Sequence, residues 1–292
     1  MTRLIERSCG DVCIAVAPEL GGALAWLRWR GHDIFRPFDP SGEKRANLCG
    51  SYPLVPWSNR IAQGEFHFSG RRWQVARNFG DHPHALHGNG WQCEWQEQEG
   101  EESVTLTLER PASEGWPWQW RATQVFALTP DSLTISLRYH NLEDIPVPVG
   151  LGFHPFFANA SDSEVQFSAA RVWLNDDNNL PYEEIATPEK WDYRAFRAPV
   201  PASVDNCFTH WSGEAAICWP QRGIRATLTS DAPNAVFFIP GTERNVVAIE
   251  PVSHINNAIN MLPADSSEQA MDVVAPGGAL TLSMTVRMSD EK

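Results

Sequence analysis

Positive charge is scarce in this chain. Lys and Arg total 23 against 36 Asp and Glu over 292 residues, a formal net charge of -13. No basic run offsets that balance, so phosphate backbones and anionic lipid are repelled, and neither nucleic acid nor a membrane is expected as a partner. No segment reaches the ~20 apolar residues of a membrane-spanning helix. The charged start Met1-Thr2-Arg3-Leu4-Ile5-Glu6-Arg7 lacks the apolar centre of a secretory signal. A cytoplasmic address is the expectation. The six cysteines (Cys9, Cys13, Cys49, Cys93, Cys207 and Cys218) include no Cys-x-x-Cys pair, and in a chain of this size and address they are expected to be reduced and mostly packed. Sustained helical periodicity, internal repeats, low-complexity tracts and Gly/Ser linkers are also missing.

Alternation of period two is what the sequence has instead. Val104-Thr105-Leu106-Thr107-Leu108, Leu133-Thr134-Ile135-Ser136-Leu137-Arg138-Tyr139 and Leu280-Thr281-Leu282-Ser283-Met284-Thr285-Val286 each put apolar residues on one face and polar residues on the other. That is the pattern of a half-buried antiparallel strand. Residues 119–128 and 133–139 flank Thr129-Pro130-Asp131-Ser132 and read as a hairpin. Val246-Val247-Ala248-Ile249 is apolar throughout and suits a strand buried on both faces. Only Thr187 to Ala195 could hold a short helix, with Pro188 in its first turn. The expected fold is all-β: one domain over residues 1–292, a large antiparallel β-sandwich with very little helix. Residues 158–201 read as a decorated excursion from it. The 13 Trp and 22 Pro either fill sheets and loops or, for exposed Trp rings, offer flat platforms to the C–H faces of sugars.

Four polar clusters interrupt the strands. Asn59 and Arg60, in Pro56-Trp57-Ser58-Asn59-Arg60-Ile61, form either a turn with a solvated Arg or part of a site. His82-Pro83-His84-Ala85-Leu86-His87-Gly88 holds three histidines. Three His can bind a catalytic metal, although no Glu follows His84 at the short spacing of a cupin-type site; one functional His, or plain loop histidines, are the alternatives. His154 lies in Gly150-Leu151-Gly152-Phe153-His154-Pro155-Phe156-Phe157, where desolvation disfavours its charged form; a core His bonded to a carbonyl would look the same. Glu250 follows the apolar run and precedes Pro251, which biases it to extended geometry. A Glu so placed is expected to project from the sheet with a raised pKa, as a general base requires, unless it is a surface residue at a strand end. Asp205, in Val204-Asp205-Asn206-Cys207-Phe208, reads by default as an Asx turn.

In chain order, Asn59-Arg60-Ile61 with Gly64-Glu65-Phe66, Leu86-His87-Gly88, His154-Pro155-Phe156-Phe157, Val204-Asp205-Asn206-Cys207-Phe208 and Ile249-Glu250-Pro251 resemble the aldose 1-epimerase (galactose mutarotase) family, over about Val12 to Met288. The resemblance implies a sandwich of the galactose mutarotase type and a sugar site with no metal and no cofactor. By it, Glu250 would be the general base at the anomeric hydroxyl and His154 the general acid at the ring oxygen. Arg60, His87 and Asp205 would grip sugar hydroxyls, with Asn59 helping to form the site, and Asp205 is one candidate neighbour for a protonated His154. The implied partner is a small-molecule aldose, and the implied state a monomer or homodimer. His82 and His84 match no motif. The chain departs from the family pattern at Gly88-Asn89-Gly90-Trp91, with Trp95 close behind, and at Ala158-Asn159. Both departures are expected at the sugar-binding mouth, which leaves galactose, glucose, another aldose, or a phosphorylated or modified hexose open. Two rivals remain: a non-catalytic sugar sensor with the same pocket, and a glycoside hydrolase, which needs two carboxylates roughly 5–10 Å apart, here Glu250 and Asp205.

Overall fold

A computed structural model describes residues 2–98, 100, 103–262 and 270–291. Alternation decides its main sheet. Ser103–Arg110, Trp120–Leu128, Ser132–Asn141 and Ala279–Asp290 alternate between buried and solvent-facing residues and pair antiparallel in that order. Leu106, Phe126, Ile135 and Met284 enter the core. On the outer face hydroxyls meet across the register: Thr134 Oγ1 and Thr285 Oγ1 are 2.9 Å apart, as are the Oγ atoms of Ser136 and Ser283. The expected hairpin forms, closed by the Thr129 N–H donating to the Ser132 carbonyl at 2.9 Å. Beyond Ala279–Asp290 the sheet continues through Ile224–Ser230, Val204–Trp219, Asn234–Ile239 and Val246–Val252 to the short strands Gly152–Phe153 and Pro53–Leu54.

A second antiparallel sheet, Ile5–Cys9, Val12–Ala17, Ala23–Trp29 and His32–Asp33, comes from the N-terminal region. Its last turn places Arg30 and Gly31 at φ 50° and 78°, the paired positive values that a tight two-residue hairpin demands. Ile14 and Leu27 from this sheet share one core cluster with Leu106, Phe126, Ile135 and Met284, and Gln124 Nε2 donates to the Gly22 carbonyl at 3.1 Å. Ten of the 13 Trp side chains are buried, so tryptophan mostly fills the sandwich and does not form surface platforms.

Every helical element among the described residues is a three-residue 3₁₀ turn. The helix expected over Thr187–Ala195 is replaced by the turn Glu189–Trp191 and the strand Tyr193–Arg197. Trp191 and Tyr193 are both buried; residues two apart share a face in extended chain and point to nearly opposite sides of a helix. The excursion after residue 158 also becomes sheet, since Glu164–Asn175 pairs with Val204–Trp219, Pro181–Ala186 and Tyr193–Arg197. Val246–Val252 is buried at all seven positions, with Asn234–Ile239 on one edge and Gly152–Phe153 and Phe156–Ala158 on the other.

Candidate active site

The buried strand and its broken neighbour bring a carboxyl and an imidazole together. Gly152 pairs with Val252 and Phe156 with Ala248. The same register sets His154, in the break between those two short strands, opposite Glu250. Their side chains meet, with His154 Nε2 3.1 Å from Glu250 Oε1. The His154 backbone N–H donates to the Tyr52 carbonyl at 3.0 Å. The imidazole packs against both Tyr52 (centroids 4.8 Å apart, 22° between planes) and Phe156 (4.3 Å, 31°). The Arg36 guanidinium stands 4.0 Å from the Phe156 ring and donates through Nη2 to the carbonyls of Asn47 and Cys49 at 2.6 and 2.8 Å.

The sugar-gripping candidates come from loops that hold one another. Arg60 pairs with Leu86 across a two-strand ladder, the His87 N–H donates to the Asn59 carbonyl at 2.8 Å, and the Asn59 N–H donates to His87 Nδ1 at 3.0 Å. Asn59 and His87 both adopt positive φ, 53° and 61°, a conformation costly for non-glycine residues and typical of sites where geometry is over-determined. Gly88 follows at φ 68°, where a Cβ would lie 2.0 Å from the Val55 carbonyl oxygen, so glycine is required. Arg60 Nη1 donates to Asn59 Oδ1 at 3.0 Å and Nη2 lies 3.6 Å from Asp205 Oδ2. Asp205 belongs to the strand Val204–Trp219 and not to an Asx turn; it sits opposite Phe238 in the ladder with Asn234–Ile239, and its carbonyl accepts from Asn175 Nδ2 at 2.8 Å.

Asn59, Arg60, His87, His154, Asp205 and Glu250 all line one pocket of about 160 Å³. Tyr52, Trp91, Phe156, Phe238 and Arg244 also line it. Phe156 lay inside a motif already singled out, while nothing local marks Tyr52 or Arg244. Of the two departures from the family pattern, Trp91 reaches the pocket; Ala158 and Asn159 are not among its lining residues. The three clustered histidines diverge in use. His84 Nδ1 accepts from the Gln63 N–H at 3.0 Å, His87 Nδ1 serves Asn59, and His82 Nδ1 lies 3.2 Å from the His84 N–H. His254, which sequence reasoning missed, is a buried bracket: Nε2 accepts from the Ser58 N–H at 3.1 Å and Nδ1 donates to the Ile255 carbonyl at 2.7 Å.

Burial governs the electrostatics. It pushes the Glu250 carboxyl well above the ordinary range, helped by Asp205 and opposed by Arg60. It pushes His154 well below its ordinary value, reinforced by His87 and Arg36. Both directions favour neutral forms, so the pair keeps one proton between its two heads. The partner of His154 is therefore Glu250 itself, not Asp205, and desolvation works against a standing imidazolium. His87 is lowered to about 3, by burial first and Arg60 second. With Nδ1 accepting from Asn59, its proton sits on Nε2 as a donor. The pocket thus offers a proton-sharing pair flanked by an N–H donor, a guanidinium and a carboxylate, a set suited to vicinal hydroxyls.

A sequence model of the aldose 1-epimerase family matches residues 4–287. YphB of Escherichia coli strain K12, an uncharacterized protein, is 30% identical over 269 residues, covering 87% of this chain and 88% of YphB. The crystal structure of a putative aldose 1-epimerase from E. coli K12 superposes with a TM-score of 0.88 at 27% identity, covering 99% of this chain and 100% of that one. A galactose mutarotase-like protein from Clostridium acetobutylicum shares the fold, with a TM-score of 0.85 at 18% identity over 99% of this chain and 96% of its own.

Proposed function

Because the chain belongs to the aldose 1-epimerase family, we propose that it interconverts the α and β anomers of a free aldose, with Glu250 and His154 as the proton-transfer pair. The observation that carries this reading is their contact, Nε2 to Oε1 at 3.1 Å, at the wall of a pocket lined with hydrogen-bonding side chains. Opening a pyranose takes a proton from O1 and gives one to the ring oxygen. Both oxygens are bonded to C1, so the groups that serve them have to be neighbours, as these two are. A bound sugar replaces the direct contact, with O1–H on the Glu250 carboxylate and the ring oxygen on the His154 N–H. Moving the shared proton from carboxyl to imidazole prepares that state with no change in net charge.

As the ring opens, Glu250 gains the O1 proton and His154 delivers its own to the ring oxygen, leaving the neutral open-chain aldehyde. Rotation about the C1–C2 bond exposes the other carbonyl face, and the two groups reverse roles on closure. Each positioned acid or base contributes about 10²–10⁴-fold. Arg60 and the His87 N–H stabilise partial negative charge on sugar oxygens in a desolvated site, and Asp205 accepts from a hydroxyl. Saturation-transfer NMR across a panel of free and phosphorylated sugars tests the reading. Exchange between anomer signals above the uncatalysed rate is expected for at least one aldose. Tight binding with exchange at background would assign a sensor instead.

A further inference from the structure

Beside the pocket that holds Glu250 and His154 lies an open cleft of about 690 Å³, and Asp205, Phe238 and Arg244 line both. The smaller space, about 160 Å³, falls below the ~300–1,000 Å³ usual for small-molecule sites and suits one sugar ring. The larger begins at Asp205, where hydroxyls remote from the anomeric carbon would be held.

The lining of the cleft is not that of an anion site. Lys190 and Arg244 are outweighed by Asp176, Asp205 and Glu243, and Lys190 stands 4.1 Å over the Trp191 ring. A phosphate or sulfonate would meet net negative charge there, whereas a neutral polyol finds donors and acceptors of both kinds. Tyr182, on Pro181–Ala186, supplies the apolar element: it lines the cleft and the residue is 59% exposed. An exposed aromatic face beside polar groups matches a pyranose, which packs its C–H face on the ring and hydrogen-bonds at its rim.

The wall that carries Tyr182 is held in shape. Asp176 Oδ1 accepts from the Asn178 and Leu180 N–H groups at 2.8 and 2.9 Å. His84, bonded to Gln63 through Nδ1, places Nε2 3.0 Å from the Asn178 carbonyl. It braces this loop against the segment that carries Arg60, which lowers the ordering cost of binding.

We propose that the cleft is a second sugar subsite: the pocket takes a reducing-end aldose, and the cleft takes a sugar residue attached to it through a non-anomeric hydroxyl, so that reducing disaccharides bind in preference to free monosaccharides. The proposal rests on the anomer-exchange reading of the pocket for which end of the ligand lies where.

Titration calorimetry of the full chain with glucose, glucose 6-phosphate, maltose, cellobiose, gentiobiose and lactose reads the preference without relying on turnover. At least one disaccharide is expected to bind about tenfold more tightly than glucose, the scale of a good aromatic contact with its rim hydrogen bonds. Tyr182→Ala should remove most of that ratio, and Tyr182→Phe, which keeps the ring, should retain it. Equal affinities across the panel, a ratio that Tyr182→Ala leaves in place, or tighter binding of glucose 6-phosphate than of any disaccharide each overturn the subsite. Anomer exchange on the same samples separates the two readings. Exchange without a disaccharide preference refutes the subsite alone. A Tyr182-dependent preference without exchange refutes the epimerase and leaves the cleft as a saccharide site.

Discussion

Replacing Glu250 by Gln should have opposite effects on catalysis and on stability, and both follow from its burial. The amide keeps the shape of the side chain and a hydrogen bond to His154 Nε2, 3.1 Å away, but cannot take a proton. Loss of a positioned base costs ~10²–10⁴-fold, about 2.7–5.5 kcal/mol of barrier. Anomer exchange by saturation-transfer NMR should fall by that factor while calorimetry still detects sugar binding. Burial, then Asp205, raises the carboxyl well above its ordinary 4.5. A folded-state pKa above the unfolded value means that the native state holds the proton more tightly. Stability contributed by Glu250 is therefore fully present below 4.5 and is lost as pH rises through the folded pKa. Gln does not titrate, so the melting temperature of Glu250→Gln relative to wild type should climb as pH rises above the ordinary carboxylate value of 4.5. A well-folded variant that keeps more than about a tenth of wild-type turnover would refute the base assignment. A relative melting temperature that stays flat over that rise would refute the burial argument.

His154→Asn should lower exchange by a comparable factor, and the double variant with Glu250→Gln little further, because both groups serve one proton cycle; losses in kcat that multiply would contradict the shared role. Arg60→Ala should raise KM and lower kcat, since the guanidinium is expected on sugar oxygens before and during ring opening; unchanged steady-state constants would remove it from the site. His254 is held at about 4 by burial, against an ordinary 6.5, so the unfolded chain takes up that proton first. Stability should be fully present above the ordinary value and lost as pH falls toward the folded one, by about 3 kcal/mol at full extent. Denaturant titrations of wild type and His254→Gln across that window should differ in slope by about one proton, and parallel curves would show that His254 carries no such linkage.

The strands were legible in the sequence because alternation is a local property. Val104 to Leu108, Leu133 to Tyr139 and Leu280 to Val286 state within a few residues which face meets water, and the uninterrupted Val246 to Ile249 marks a strand with none. The same rule bears on the missing helix at Thr187–Ala195, where Trp191 and Tyr193, two residues apart, are both buried. The candidate residues were legible too, through the family wording of short motifs, and all six line one pocket. Their arrangement was not. His154 faces Glu250 because two short strands flanking it share a register with Val246–Val252. Tyr52 matters because its ring stacks at 4.8 Å on His154, and no neighbour in its own sequence announces that. Asp205 lies beside Arg60 and not beside His154, and the neutral preference of the proton pair comes from desolvation by the whole surrounding core. Residue type and period decide how a segment meets water; pairing, register and dielectric arise between segments far apart in the chain, and the site consists of those relations.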